Sequence, residues 1–154
     1  MDPAVLVRQI QKADCAGWKP LWDGYNAFYG RSGETALPEE ITQTTWKRFL
    51  DPGEPVFALI AEHQGQVVGL AHYVFHRSTI QIDCTCYLQD LFTVPSERGR
   101  GIGLALIEAV YERAKTAGLK RVYWHTHEWN ATARLLYDKL AEHSGFIVYS
   151  ARFI

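Results

Sequence analysis

Apolar residues recur along the chain with two different periods, and the switches between them mark out the elements. Val5–Ile10 reads as a first strand. Trp18, Leu21, Trp22, Tyr25 and Phe28 then fall at helical spacing, predicting a helix that Asp14 caps and that runs to about Tyr29. Pro38 opens a second helix, with Glu39 and Glu40 in a first turn where acids suit the helix dipole, and Asp51-Pro52-Gly53 stops it. Val56–His63 and Gln66–His76 are β-rich runs joined by Gln64-Gly65, a hairpin signal. Cys84–Val94 is a further strand, ended by Pro95 because proline cannot donate to a ladder.

Beyond that strand the period returns to helical. Ile102, Leu106, Ile107, Val110 and Ala114 define a helix from about Gly101 to Ala117, with Gly118 as its stop. Val122–Thr126 reads as a short strand, Ala131–Ala141 as a helix and Phe146–Ile154 as a closing strand. The order β-α-α-β-β-β-α-β-α-β predicts an α/β (α+β) fold with a mixed central sheet of about six or seven strands flanked by helices. Strands before residue 94 are expected to pair antiparallel, and the 84–126 unit to be a right-handed crossover between parallel strands.

Composition narrows this picture little. The 154 residues suit a single domain over 1–154; 47% are apolar and 21% charged, as in globular domains. A net charge of -1 leaves no basic field for nucleic acid or an anionic membrane. No apolar run approaches the roughly 20 residues that span a bilayer. Met1-Asp2-Pro3-Ala4-Val5 does not read as a secretory leader, and three cysteines, Cys15, Cys84 and Cys86, do not make a disulfide framework. A cytoplasmic location is the expectation.

The candidate chemistry starts at Arg98-Gly99-Arg100-Gly101-Ile102-Gly103-Leu104, between a strand and a helix. A helix start leaves backbone N–H groups unpaired, the positive end of the dipole lies there, and glycines let an anion approach the backbone. Together they form a phosphate site, to which Arg98 and Arg100 add charge. Other nucleotide motifs fit poorly. No Lys-Ser or Lys-Thr follows the last glycine, as a P-loop needs, and leucines stand at 104 and 106 where a dinucleotide fingerprint needs glycine.

With Tyr87-Leu88-Gln89-Asp90-Leu91-Phe92-Thr93-Val94-Pro95 before this turn, and Val122-Tyr123-Trp124 and Asn130-x-x-Ala133-x-x-Leu136-Tyr137 after it, the chain resembles the GCN5-related N-acetyltransferases. Within them it is similar to the branch of spermidine/spermine acetyltransferase and the yeast histone- and polyamine-acetylating enzymes. The resemblance covers about residues 56–150. It implies acetyl-CoA as co-substrate, no metal, and an amine acceptor: a polyamine, an amino acid such as a lysine analogue, or a protein lysine. It further implies that Leu91, Phe92, Thr93 and Val94 lie on a splayed strand along the pantetheine arm. By the same resemblance Arg98, Gly99, Arg100, Gly101, Ile102, Gly103 and Leu104 hold the pyrophosphate, Asn130 touches the pantetheine, and Tyr137 is the general acid. A backbone N–H near Leu91 or Phe92 would hold the developing oxyanion.

The base departs from the family's pattern, because Gln89 stands where that branch has a glutamate. Asp90 is the candidate, as a base or as an orienting group for the amine, although strand neighbours face opposite sides unless a bulge intervenes. Glu128 is the weaker candidate. A non-catalytic acyl-CoA-binding module is the alternative reading, and a strand-pairing interaction domain a third. His125-Thr126-His127-Glu128 with Cys84 and Cys86 lacks the ligand spacing of a metal site. Asp23, Glu39 and Glu40 read as solvent-facing charges, with recognition of a cationic amine beside Trp22, Tyr25 or Tyr29 as the functional alternative. The apolar final strand at a sheet edge, with the resemblance, implies a homodimer.

Overall fold

The computed structural model describes residues 4–153. They form two compact units that divide after Trp124, each considered by itself. The first contains β1 (Val5–Gln9), α1 (Cys15–Phe28), α2 (Glu39–Leu50), β2 (Val56–His63), β3 (Gln66–His76), β4 (Thr85–Thr93), α3 (Ile102–Thr116) and β5 (Val122–Tyr123). The second contains α4 (Ala131–Leu140).

The sheet runs in the order β1-β2-β3-β4-β5. The first three pairings are antiparallel and β4–β5 is parallel, so α3 is a crossover helix as the β-α-β pattern predicts. The β2–β3 hairpin turns at Gln64 (φ 53°) and Gly65 (φ 74°), two successive left-handed residues that match the twist of the paired strands.

The period-2 alternation sends each strand's side chains to two different layers. Ala58 and Ile60 of β2 and Leu70 of β3 face Trp18, Leu21, Trp22 and Tyr25 of α1 and Phe49 of α2. On the opposite face Gly69 lies under α3. A Cβ there would come to 3.0 Å from Ile102 Cγ2 and 3.1 Å from Leu106 Cδ1, so any larger residue would push these side chains back by a few tenths of an ångström. Ile102, Leu106, Ile107 and Val110 are fully buried, as their helical spacing requires.

Three expectations change. Asp14 precedes α1 but makes no side-chain cap. Its carboxylate instead accepts from the Gln11 N–H (2.7 Å) and from both Arg8 Nη atoms (2.8 Å each), bonds stronger than a cap to a neutral amide. The strand at 122–126 is only the two residues of β5. The closing strand is absent: residues 146–153 carry no regular structure, so the described sheet has five strands rather than six or seven. Strand propensity is realised only when a ladder partner takes up the backbone groups, and no described strand pairs with 146–153. Ile154 lies outside the described residues.

Candidate active site

The site begins at a register shift. β3 and β4 pair Tyr73 with Leu88 but His72 with Asp90, leaving Gln89 as an extra residue on β4. A bulge of this kind reverses the alternation of side chains beyond it. Leu88 therefore shares the α3 face with Tyr73, while Asp90 shares the α1 face with His72. Gln89 itself is exposed. The bulge that strand geometry demands for Asp90 to turn inward is present.

Asp90 is buried and firmly held. Its Oδ2 lies 2.8 Å from His72 Nδ1, and His72 Nε2 lies 3.0 Å from Trp18 Nε1. An indole N–H can only donate, so Nε2 accepts and the imidazole proton sits on Nδ1, from which it is donated to Asp90. Trp18 thus fixes the tautomer and His72 fixes the carboxylate. Neither partner is in the sequence motif. The only sequence signal for His72 is a polar side chain inside the buried run Leu70-Ala71-His72-Tyr73.

Around this pair α1 lays a row of aromatic rings. Trp22 stacks on Trp18 (5.8 Å) and on Tyr25 (5.8 Å), and Tyr25 meets Tyr29 (5.0 Å). Tyr25 donates a long bond of 3.5 Å to the Gln89 carbonyl in the bulge. Burial first, and then the Asp90 carboxylate, raise the Tyr25 hydroxyl well above the ordinary phenol range. The place beside Tyr25 and Tyr29 that a cationic amine could take is occupied by the chain's own Arg31, 5.9 and 5.6 Å from the two ring centres. Asp23 pairs with Lys19 at 2.9 Å, and Asp23, Glu39 and Glu40 are all exposed, as the solvent-facing reading expects.

Beyond Asp90 the sheet opens. β5 pairs with β4 only at Cys86 and Tyr87, so among the described residues no strand lies beside that edge of β4 from Leu88 onward. The Val94 N–H donates to Val68 on β3 (2.9 Å). Antiparallel alternation then aims Phe92 and Asp90 backbone groups at β3, and those of Leu91 and Thr93 at the open edge. Arg98 takes up one of them, donating from Nε to the Thr93 carbonyl at 3.1 Å while its guanidinium covers the Phe92 ring at 5.6 Å. The Leu91 N–H is the donor on that edge nearest Asp90 in the chain.

The glycine turn follows at the end of the same strand. Gly99 (φ 80°) and Gly101 (φ 79°) are both left-handed, a conformation that side chains rarely adopt. Gly101 is the N-cap of α3, and its carbonyl accepts from the Ala105 N–H at 3.0 Å. Ile102, Gly103 and Leu104 thus form the first turn, whose N–H groups lie beyond the reach of intrahelical bonds. Arg100 Nη1 lies 3.3 Å from Glu97 Oε2, near enough for charge attraction but without hydrogen-bond alignment, and His63 Nδ1 lies at the same distance.

Asn130 and Tyr137 belong to the second unit. Asn130 is the N-cap of α4, and its carbonyl accepts from the Arg134 N–H at 3.1 Å. Seven residues apart, two helical turns, the two positions share one face of α4 with Ala133 between them. Glu128, the weaker base candidate, precedes α4 and is exposed. Cys86 is buried, which pushes its thiol up to about 12 and makes it a core side chain rather than a nucleophile.

Residues 18–141 match the family model described as the acetyltransferase (GNAT) family. The chain is 34% identical over 151 residues to the D-amino-acid N-acetyltransferase HPA3 of Saccharomyces cerevisiae, covering 97% of this chain and 91% of that protein. This chain belongs to the GNAT acetyltransferase family. A bovine (Bos taurus) thialysine N-epsilon-acetyltransferase is 37% identical over 149 residues, covering 88% of this chain and 82% of its own. The fold is also that of the aminoglycoside acetyltransferase AAC(6')-Iy solved with a bisubstrate analog, at a TM-score of 0.81 and 18% identity over 97% of this chain and 99% of that one. As a GNAT enzyme the protein is an N-acetyltransferase that uses acetyl-CoA as co-substrate and an amine as acceptor. The non-catalytic module has no support among these relatives.

Proposed function

We propose that the enzyme acetylates the primary amine of a small acceptor, an amino acid or related amine, with Asp90 as the group that receives the amine's proton. The observation that carries this reading is the Asp90 carboxylate, turned inward by the Gln89 bulge, anchored by His72 and set one residue from the open-edge N–H of Leu91. The names of the yeast and bovine relatives, which describe acetylation of amino acids, support an amino acid over a protein lysine.

In this reading the amine gives its proton to Asp90, directly or through water, and its lone pair attacks the thioester carbonyl. The Leu91 N–H faces the carbonyl oxygen as charge develops on it. The C–S bond breaks as the C–N bond forms, and Tyr137 protonates the departing thiolate. Leu91 to Val94 line the pantetheine arm, which Asn130 also touches. The turn from Arg98 to Leu104, with Gly99, Arg100, Gly101, Ile102 and Gly103 between, cradles the pyrophosphate. Its two left-handed glycines and the open first turn of α3 support that role.

The whole chain 1–154 acts as one acetyltransferase domain, a reading supported by a family match that crosses residue 124. It works as a cytoplasmic homodimer that binds no nucleic acid. Free cysteines and a net charge of -1 support the compartment and the absence of nucleic acid. The exposed apolar run Phe146, Ile147, Val148 and Tyr149 supports the dimer, which sedimentation as monomer alone would refute.

The test is thiol release from acetyl-CoA over a panel of amines. Asp90→Asn is expected to lower kcat/KM at least about a hundredfold, and Tyr137→Phe to lower kcat by about tenfold or more. Full activity in Asp90→Asn would remove it from the reaction.

A further inference from the structure

Arg31 follows α1 directly after the helix breaks at Gly30 (φ 79°). Its backbone N–H donates to the Asn26 carbonyl at 2.8 Å, and its Nε donates to Asn26 Oδ1 at 2.7 Å. Asn26 is 4% exposed, and its Nδ2 is spent on the Trp22 carbonyl at 2.9 Å, so the amide is fixed with its oxygen toward Arg31. The guanidinium also lies against the Tyr25 and Tyr29 rings. It is therefore held on one edge and over its face, while no carboxylate among the described residues forms an ion pair with it. A half-buried guanidinium, pre-oriented and without an anion, is a receptor for one.

Its position relates it to Asp90. The Tyr25 ring has Arg31 over it and its hydroxyl at the Gln89 bulge, so one tyrosine separates the cation from the carboxylate's strand. Both charges act on the neighbouring Tyr29 hydroxyl: burial and then Asp90 raise it, while Arg31 works against them. The acceptor side thus carries one negative and one positive group. Such a box is complementary to a zwitterion, whereas a polyamine would meet a fixed positive charge beside the group meant to receive it.

Resting on the reading of Asp90 as the amine's partner, we infer that Arg31 binds the carboxylate of the acceptor, making the enzyme selective for amino acids over polyamines and other amines that lack a carboxylate. The fork of two outer nitrogens, left open by the Nε bond to Asn26, fits a carboxylate through two parallel hydrogen bonds. Asn26 positions the fork, and the two tyrosines shield it from water.

The experiment compares acceptors that differ only by the carboxylate: lysine against cadaverine for a side-chain amine, and both enantiomers of phenylalanine against phenethylamine for an α-amine. Within at least one pair the wild-type kcat/KM is expected to favour the amino acid by about tenfold or more. In Arg31→Met, whose stem still covers the rings, that ratio falls toward one through a higher KM for the amino acid. Arg31→Lys restores part of it. Because the ratio is taken within one variant, partial loss of folded protein cancels from it. Cadaverine and phenethylamine turning over as well as their amino acids in the wild type overturns the inference and leaves amine acetylation standing. A ratio unmoved by Arg31→Met overturns it as well. Turnover of none of these acceptors beside ready acetylation of spermidine overturns it in favour of a polyamine enzyme. Failure of every amine to release thiol sinks the parent reading with it.

Discussion

Replacing His72 with leucine keeps the side chain's approximate size and removes both of its hydrogen bonds. His72 is 3% exposed and Trp18 1%, so no water replaces the acceptor that the indole N–H loses. An orphaned buried donor costs about 1–3 kcal/mol. Asp90 loses a charge-assisted bond of 2.8 Å, worth about 1.5–3 kcal/mol. Its side chain retains 11% exposure, so solvent recovers part of the second loss, and the sum is about 2–4 kcal/mol. For a chain of this size each kcal/mol moves Tm by about 2–4 °C, so His72→Leu should melt about 4–16 °C early. Urea unfolding of His72→Leu, Trp18→Phe and the double variant separates the hydrogen bond from packing. With both Trp18 and His72 gone neither end of their bond is left orphaned, while the loss at Asp90 is common to His72→Leu and the double variant, so the double variant should be at least about 1 kcal/mol more stable than the sum of the singles predicts. His72→Asn, whose amide nitrogen reaches the place of Nδ1, should recover kcat/KM that His72→Leu loses. Additivity within about 0.5 kcal/mol, together with a cost below about 1 kcal/mol for His72→Leu, would refute the relay.

Gly69→Ala drives a Cβ to 3.0 Å from Ile102 Cγ2 and 3.3 Å from the Phe92 carbonyl, an overpacking cost of about 1–3 kcal/mol that lifts the start of α3; Tm and its rise on adding acetyl-CoA should both fall. Gly101→Ala imposes a side chain on φ 79° at the phosphate turn, so calorimetry should find acetyl-CoA binding weakened along with a stability loss of about 1–2 kcal/mol. Arg8 holds the carboxyls of Asp14 and Glu62 below the usual carboxylate range, chiefly through its hydrogen bonds to them. Groups depressed in the folded state stabilise it above their unfolded values near about 4 and lose that contribution as pH falls, so the wild-type Tm should drop more steeply between about pH 5 and pH 2 than that of Arg8→Met.

Most of the framework was legible because local patterns carried it. The bounds of β2 and β3 follow from their β-rich composition and from a Gln64-Gly65 turn whose two positive φ values need that chemistry. α3 is visible as a run of Ile102, Leu106, Ile107 and Val110, all of which are buried. The glycine turn before α3 is legible for the same reason: Gly99 and Gly101 answer to backbone conformations fixed within a few residues. The final strand misled because Phe146 to Tyr149 have strand composition, while a strand exists only where a distant segment completes its ladder.

The surroundings of Asp90 were out of reach for a related reason. Strict alternation along β4 cannot say which way Asp90 faces, since one inserted residue reverses the answer, and that insertion exists only as the register between β3 and β4. His72 and Trp18 are 54 residues apart and meet only when α1 lies across β3. Arg31 gains its place from Asn26 and two tyrosines at the end of that same helix. By itself the sequence determined the family, the order of elements from β1 to α4 and the left-handed glycine turn before α3, because backbone propensity and short-range spacing are enough to encode them. Tertiary structure alone decided which carboxylate turns inward and what holds it, because those depend on strand register and on contacts between segments far apart in the chain.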